Sequence, residues 1–320
     1  TGLSLILMTQ MSTWCLIVHR CIHPSRCKFV ACCPLEQAFV LHRFSGRRRC
    51  GDFQMQMEWA AGACRTQVDC LSVDVAVDPV RGDLSSQEAV AQLNQLIRAG
   101  LVVGILAGPP CETWSQARHQ VLAGERGPRP LRSAATPRGV EGRTDREVAQ
   151  TLRGSMLLQT TLKLFWEAWR QCVCFVLEHP ACPAQSDRAS IWRLPVVEQL
   201  LGLPGVNKLR ILQGELGAVS AKPTDLMIAH MPGLPEALGQ ARQPHLAVTW
   251  GVSIGRVVDE GGAKGFCTAQ LKEYPSALSR VLAEQMLAVA SCLYDPARPR
   301  TCEEAPEAYS CLFRQCDPYD

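Results

Sequence analysis

Two apolar runs, each stopped by proline, constrain this chain most. Val102–Ala107 is rich in β-branched residues and ends in Gly108-Pro109-Pro110-Cys111; residues 174–177 (Cys-Phe-Val-Leu) end in Glu178-His179-Pro180. A short apolar run between such breakers reads as a strand buried on both faces, as in parallel sheets. Parallel neighbours need a crossover, and residues 145–169 supply one. Val148, Leu152, Met156, Leu157, Leu162, Leu164, Phe165 and Trp169 fall on one side of a helix there. The sequence therefore predicts a βαβ unit in an α/β fold, with a thiol and a carboxylate delivered to one sheet edge. Ligands of open α/β sheets bind beyond that edge. Pro109 and Pro110 narrow the backbone choices before Cys111, which suits a presented nucleophile; a small buried loop thiol is the plainer reading.

Upstream, residues 38–44 predict a first strand, followed by the turn Ser45-Gly46-Arg47-Arg48-Arg49-Cys50-Gly51-Asp52 and a helix over 53–63. Strand, glycine turn and helix open nucleotide-type folds, in which the backbone approaches the ligand closely. The three arginines read as a solvated loop or as phosphate contacts. Residues 71–75 predict the second strand, with Asp74 placed to accept ribose hydroxyls and Asp78 competing for the role. Residues 86–98 carry an amphipathic stripe capped by Ser85 or Ser86. A short helix over 196–201 precedes strands at 209–213 and 222–228, read as an antiparallel edge hairpin. Residues 232–264, rich in glycine and proline, read as a loop region, and 276–293 as a closing amphipathic helix after Tyr274-Pro275.

Gly108-Pro109-Pro110-Cys111, with Thr113 and Ser115, resembles the Pro-Cys nucleophile loop of the DNA cytosine-5 methyltransferases. Leu177-Glu178-His179-Pro180 resembles a divergent form of their Glu-Asn-Val segment. Phe44-Ser45-Gly46 resembles the start of their Phe-x-Gly-x-Gly loop, with the second glycine displaced to Gly51, and Gly82-Asp83 resembles their Gly-Asp segment. The resemblance runs in order from Phe44 to Ile228. It implies a Rossmann-like class I methyltransferase fold: a mostly parallel sheet, helices on both faces and an antiparallel edge hairpin. It also implies S-adenosylmethionine as cofactor, near Phe44, Ser45, Gly46, Asp74, Asp83 and Pro109. Cys111 and Glu178 become the catalytic pair, Cys111 adding to C6 of cytosine and Glu178 contacting the ring. Nucleic acid, DNA or RNA, becomes the partner, met by Ser115, Arg118 and Arg126.

The family's Gln-x-Arg-x-Arg segment is missing, with Gln213 standing alone, and 232–264 is too short for an independent recognition domain. A second reading therefore stays open: a catalytically inactive relic, of mobile-element origin, that acts as a nucleic-acid-binding or interaction module. A thiol hydrolase pairing Cys111 with His119 or His179 is a third, with no identifiable oxyanion site.

The net charge of +3 tolerates a polyanionic partner without demanding one. Arg126, Arg129, Arg132 and Arg138 read as a basic loop closing over a nucleic-acid backbone, and Arg118 as a cation favouring the Cys111 thiolate. Seventeen cysteines without a repeated spacing or signal peptide predict reduced thiols and a nuclear or cytoplasmic monomer. Cys15, His19, Cys21, His23, Cys27, Cys32 and Cys33 match no finger spacing, so no metal is expected. The N-terminal apolar runs are too short to span a membrane. The organisation read from this is a poorly ordered Cys-rich leader over 1–36, one α/β domain over 37–294 and a polar tail over 295–320.

Overall fold

The computed structural model describes residues 38–64, 66–79, 82–119, 129–249, 256–258, 264–266 and 273–293; the leader, the tail and Arg126 lie outside them. Six strands form one sheet in the order β2-β1-β3-β4-β6-β5. They are β1 (Ala38–Arg43), β2 (Val68–Val73), β3 (Val102–Ala107), β4 (Cys174–Pro180), β5 (Val206–Leu212) and β6 (Pro223–Ala229). β1 pairs in parallel with β2 and β3, and β3 with β4; β6 alone is reversed, running antiparallel to β4 on one side and β5 on the other. The mixed α/β sheet and the antiparallel pair at its edge are those expected. Both apolar runs become strands buried along their length apart from half-buried Pro180.

Helices cover both faces. α1 (Phe53–Cys64) and α6 (Ser276–Leu293) pack on Val40, Val176 and Ile228. α2 (Gln87–Arg98) and α3 (Asp145–Arg170) pack against each other on the opposite face, where Phe165 of α3 stacks on Phe175 of β4 at 4.4 Å. Ser86 caps α2 by accepting from the Ala89 amide, and Thr144 with Glu147 closes a capping box at the start of α3. Alternation along β4 then fixes the site: Cys174, Val176 and Glu178 face α1 and α6, while Phe175, Leu177 and His179 face away.

Several boundaries move. β1 ends at Arg43 because Phe44 adopts φ +59°, and β2 ends at Val73, leaving Asp74 just beyond it. β5 starts at Val206, earlier than its apolar run, because exposed Asn207, Lys208 and Arg210 suit an edge strand. The region read as loop holds regular structure. After α4 (Pro195–Leu201), α5 (Leu234–Ala241) forms because Pro235 sits in its first turn, where a missing N–H costs nothing, and Leu234 and Leu238 bury one helical turn apart. A hairpin of β7 (Arg256–Val258) and β8 (Lys264–Phe266) follows. The expectation of reduced thiols throughout fails at Cys172, which is disulfide-bonded.

Arg43 breaks the burial rules. It is 0 % exposed, and none of its guanidinium nitrogens has a hydrogen-bond partner among the described residues. The Phe44 ring lies 5.3 Å from the guanidinium carbon, and burial lowers the pKa to about 9. A desolvated cation without acceptors opposes folding. Arg43→Met keeps most of the volume and removes the charge, so it is expected to raise stability by about 2 kcal/mol. Urea denaturation reads this as a higher midpoint at constant slope. A lower midpoint would show that the guanidinium has a partner in solution.

Candidate active site

The carboxyl ends of β1, β3 and β4 surround a cavity of about 40 Å³. On the β1 side its wall is the glycine turn, where Gly46 and Gly51 take φ +68° and +75°. Asp74 closes this turn: one carboxylate oxygen accepts from the Gly46 amide at 3.0 Å and the other from Ala76 at 2.7 Å. Asp52 caps α1 by accepting from the Met55 and Arg49 amides and from Arg48. Phe44, Ser45, Gly46 and Asp74 are thus brought together, with Asp74 employed on the backbone.

Gly108 forms the β3 side. A Cβ there would lie 2.5 Å from the Tyr274 hydroxyl and 3.3 Å from Glu178 Oε2, so no larger residue fits. Pro109 is buried beneath, and the Trp114 amide donates to the Cys111 carbonyl at 2.9 Å, folding the half-buried cysteine into a tight turn. Opposite, buried Glu178 has its two oxygens in different surroundings. Oε1 accepts from Gln213 Nε2 at 2.9 Å and pairs with Lys222 Nζ at 3.3 Å; Oε2 is the oxygen beside Gly108. Lys222 reaches it from a strained backbone at φ +33°.

Between them stands Tyr274. Burial pushes its hydroxyl well above the ordinary tyrosine pKa, and the negative charge of Glu178 and of a Cys111 thiolate adds to the shift. β3 and β4 are parallel neighbours, so the Cys111 loop and Glu178 leave the same edge of the sheet; Glu178 lines the cavity and Cys111 does not. His42 stacks on Tyr274 at 6.2 Å; burial holds this imidazole neutral, its pKa lowered to about 3, and its Nδ1 has no hydrogen-bond partner among the described residues.

No protein-family model matches the chain, and no curated protein matches it. Among solved structures it is similar, at a TM-score of 0.31 and 16% identity, to a candidate DNA modification methyltransferase encoded within a prophage (E. coli). The match covers 60% of this chain and 46% of that one, so the chain spans less than half of that structure's length. At that TM-score the likeness bears on neither activity nor ligand.

Asp83, Ser115 and Arg118 are not among the residues lining the cavity. Asp83 accepts from the hydroxyl and the amide of Ser85, and these two bonds, the hydroxyl's above all, lower its pKa. Ser115 accepts from the Ala117 amide at the start of a short 3₁₀ helix. Arg118 donates to the carbonyls of Glu112 and Arg129 and to Gln150, so it braces the cysteine loop from behind. Arg126 lies outside the described residues. The expected basic loop is corrected in its described part. Arg132 is buried against α3 and Arg129 pairs with Glu147, so these cations are bound internally. A guanidinium that finds carbonyls and a carboxylate in its own chain has little left for a phosphate. His179 is buried on the opposite sheet face beside Trp192.

His42, Arg49, Lys222 and Tyr274 were not among the expected site residues. His42, Lys222 and Tyr274 stand in no motif, Tyr274-Pro275 reads only as a helix start, and Arg49 reads within the glycine turn as a solvated or phosphate-contacting arginine. Among the described residues no cluster of three or more metal-ligating side chains occurs, and no helix is long and apolar enough to cross a membrane.

Proposed function

We propose that this chain has a class I methyltransferase fold and transfers a methyl group from S-adenosylmethionine to C5 of cytosine in nucleic acid. The reading is supported by the placement of Glu178 and the Cys111 loop at the carboxyl ends of the neighbouring parallel strands β4 and β3. Carbon 5 of cytosine is a poor nucleophile. Addition of the Cys111 thiolate forms the S–C6 bond, moves the C5–C6 π pair to C4–C5 and the C4–N3 pair onto N3, which takes a proton. The ring becomes an enamine, nucleophilic at C5. Glu178, with one oxygen fixed by Gln213 and Lys222, turns the other towards the ring edge where that proton is exchanged. The target base has to leave its stack to reach this cleft.

The methyl donor meets an obstacle. Sites for ligands of that size run to roughly 300–1,000 Å³, and the cavity of about 40 Å³ does not accommodate one while Tyr274 is in place. That observation favours the second reading, an inactive relic that retains the sheet and the cysteine. Calorimetric titration with S-adenosylmethionine, followed by incubation with a 5-fluorocytosine oligonucleotide, separates the two. Heat on titration and a protein–oligonucleotide adduct resistant to denaturant are expected. No heat at millimolar donor would remove the methyl-transfer reading.

A further inference from the structure

We infer that Tyr274 is a resident occupant of the cleft, latched through Arg49, and that a ligand carrying a carboxylate opens the site by replacing Glu273 on that arginine. The identity of the ligand, the amino-acid portion of the methyl donor, rests on the methyl-transfer reading; the latch itself does not.

Three sets of contacts carry the inference. The Tyr274 ring lies between the His42 imidazole, stacked at 6.2 Å, and the Lys222 ammonium, 5.9 Å from the ring centroid. A slot with an aromatic face, a cation and a carboxylate at its rim suits a planar ring, and here the chain supplies its own. Next, the hydroxyl end fills the space left by the missing side chain of Gly108, beside Glu178 Oε2. Without Tyr274 that oxygen would face an open pocket.

The third set is the tether. Arg49 donates from Nη2 to the Tyr274 carbonyl at 3.1 Å and pairs through Nε with Glu273 at 3.0 Å. Arg49 belongs to the turn between Gly46 and Gly51, and a Cβ at position 51 would fall 2.2 Å from Ser276 Oγ, so turn and α6 start are seated on each other. Glu273 is 57% exposed, and an ion pair in that setting is weak and exchangeable. A ligand carboxylate entering along the turn can take the place of the Glu273 oxygen on Nε, and with its second oxygen compete for Nη2 against the Tyr274 carbonyl. Binding then releases the segment that holds the ring, and the ring vacates the cleft.

The full chain is tested with two probes, S-adenosylhomocysteine, which carries the carboxylate, and 5′-methylthioadenosine, which lacks it. Affinities come from calorimetry, and the opening of the cleft is read separately as the rate of Cys111 alkylation by iodoacetamide, followed by peptide mass spectrometry. With the closed state about ten times more populated than the open one, Tyr274→Ala is expected to bind both probes about 10-fold tighter and to alkylate about 10-fold faster at Cys111. Glu273→Gln, an exposed change that keeps the ring, is expected to gain about 3-fold for S-adenosylhomocysteine, which loses a competitor on Arg49, and less for 5′-methylthioadenosine, which profits only from the loosened latch.

Equal affinities in wild type and both variants, with unchanged alkylation, would overturn the latch and leave methyl transfer standing. Faster alkylation of Tyr274→Ala with no heat from either probe would support the resident ring and overturn the donor as its displacing ligand. Should Tyr274→Ala fail to fold, Glu273→Gln decides: an equal gain for both probes, or none for either, overturns the exchange at Arg49.

Discussion

Cys111→Ala is expected to abolish covalent capture of a 5-fluorocytosine oligonucleotide, and Glu178→Gln to slow it by about 10²–10⁴-fold, the range for losing a positioned proton-transfer group. The two losses differ in kind. Without sulfur there is no atom to bond C6, so no incubation time recovers the adduct. Glutamine keeps the size of Glu178 and an oxygen for one donor but cannot carry the proton that N3 takes up. Lys222 would also lose its carboxylate, which compounds the defect. Intact-mass spectrometry over time separates absent from slow capture. Thermal unfolding checks that Cys111→Ala, a small change at a half-buried loop position, leaves the fold intact. Capture persisting in the alanine variant would move the nucleophile elsewhere, and capture at the wild-type rate in Glu178→Gln would make that residue a wall of the pocket only.

The framework of this cleft was legible because it is written in local physics. Apolar runs that stop at Pro109 and Pro180 have few ways to fold, and a helix of 26 residues opening on Thr144 and Glu147 announces its own start. The position of Asp74 was legible, but its work was not. A carboxylate near the end of a strand reads the same whether it will hold a ribose or the Gly46 amide. Tyr274 and Lys222 were illegible for a different reason: each acts through contacts far along the chain, with Gly108 and Glu178, and neither contact leaves a periodic trace. Leu234 and Leu238 form a buried stripe only one helical turn long, between glycines and prolines, and so passed for loop. The arginines misled most. Arginine is rarely fully buried, so a run rich in arginine, glycine and proline reads as solvated, although Arg132 is 2% exposed.

That burial leads to the opposite prediction from Arg43. Arg132 donates from Nε to Thr113 Oγ1 at 2.9 Å, from Nη1 to the Pro137 carbonyl, and from Nη2 to the Thr151 carbonyl and Ser155 Oγ. Its guanidinium lies over Trp114 at 4.0 Å. Burial, and then the charge of Arg143, lower its pKa to about 10. The residue fastens the turn carrying Cys111 to α3 at Gly154, where an added Cβ would already be 3.2 Å from Thr113 Oγ1. Arg132→Met removes the donors and leaves their acceptors buried. Hydrogen bonds to charged groups contribute about 1.5–3 kcal/mol each, and a buried acceptor left unmatched costs more. Because the four contacts share one side chain, they do not add, and a loss of about 4 kcal/mol is expected. In urea this is a lower midpoint, in contrast to the rise expected for Arg43→Met. The same substitution thus changes sign according to whether the guanidinium has acceptors. A loss below about 1 kcal/mol would mean that water replaces those bonds and that the cysteine loop is held elsewhere. With the expected loss, Cys111 depends for its place on an arginine that meets no ligand, and losing Arg132 should impair capture even at temperatures where the fold survives.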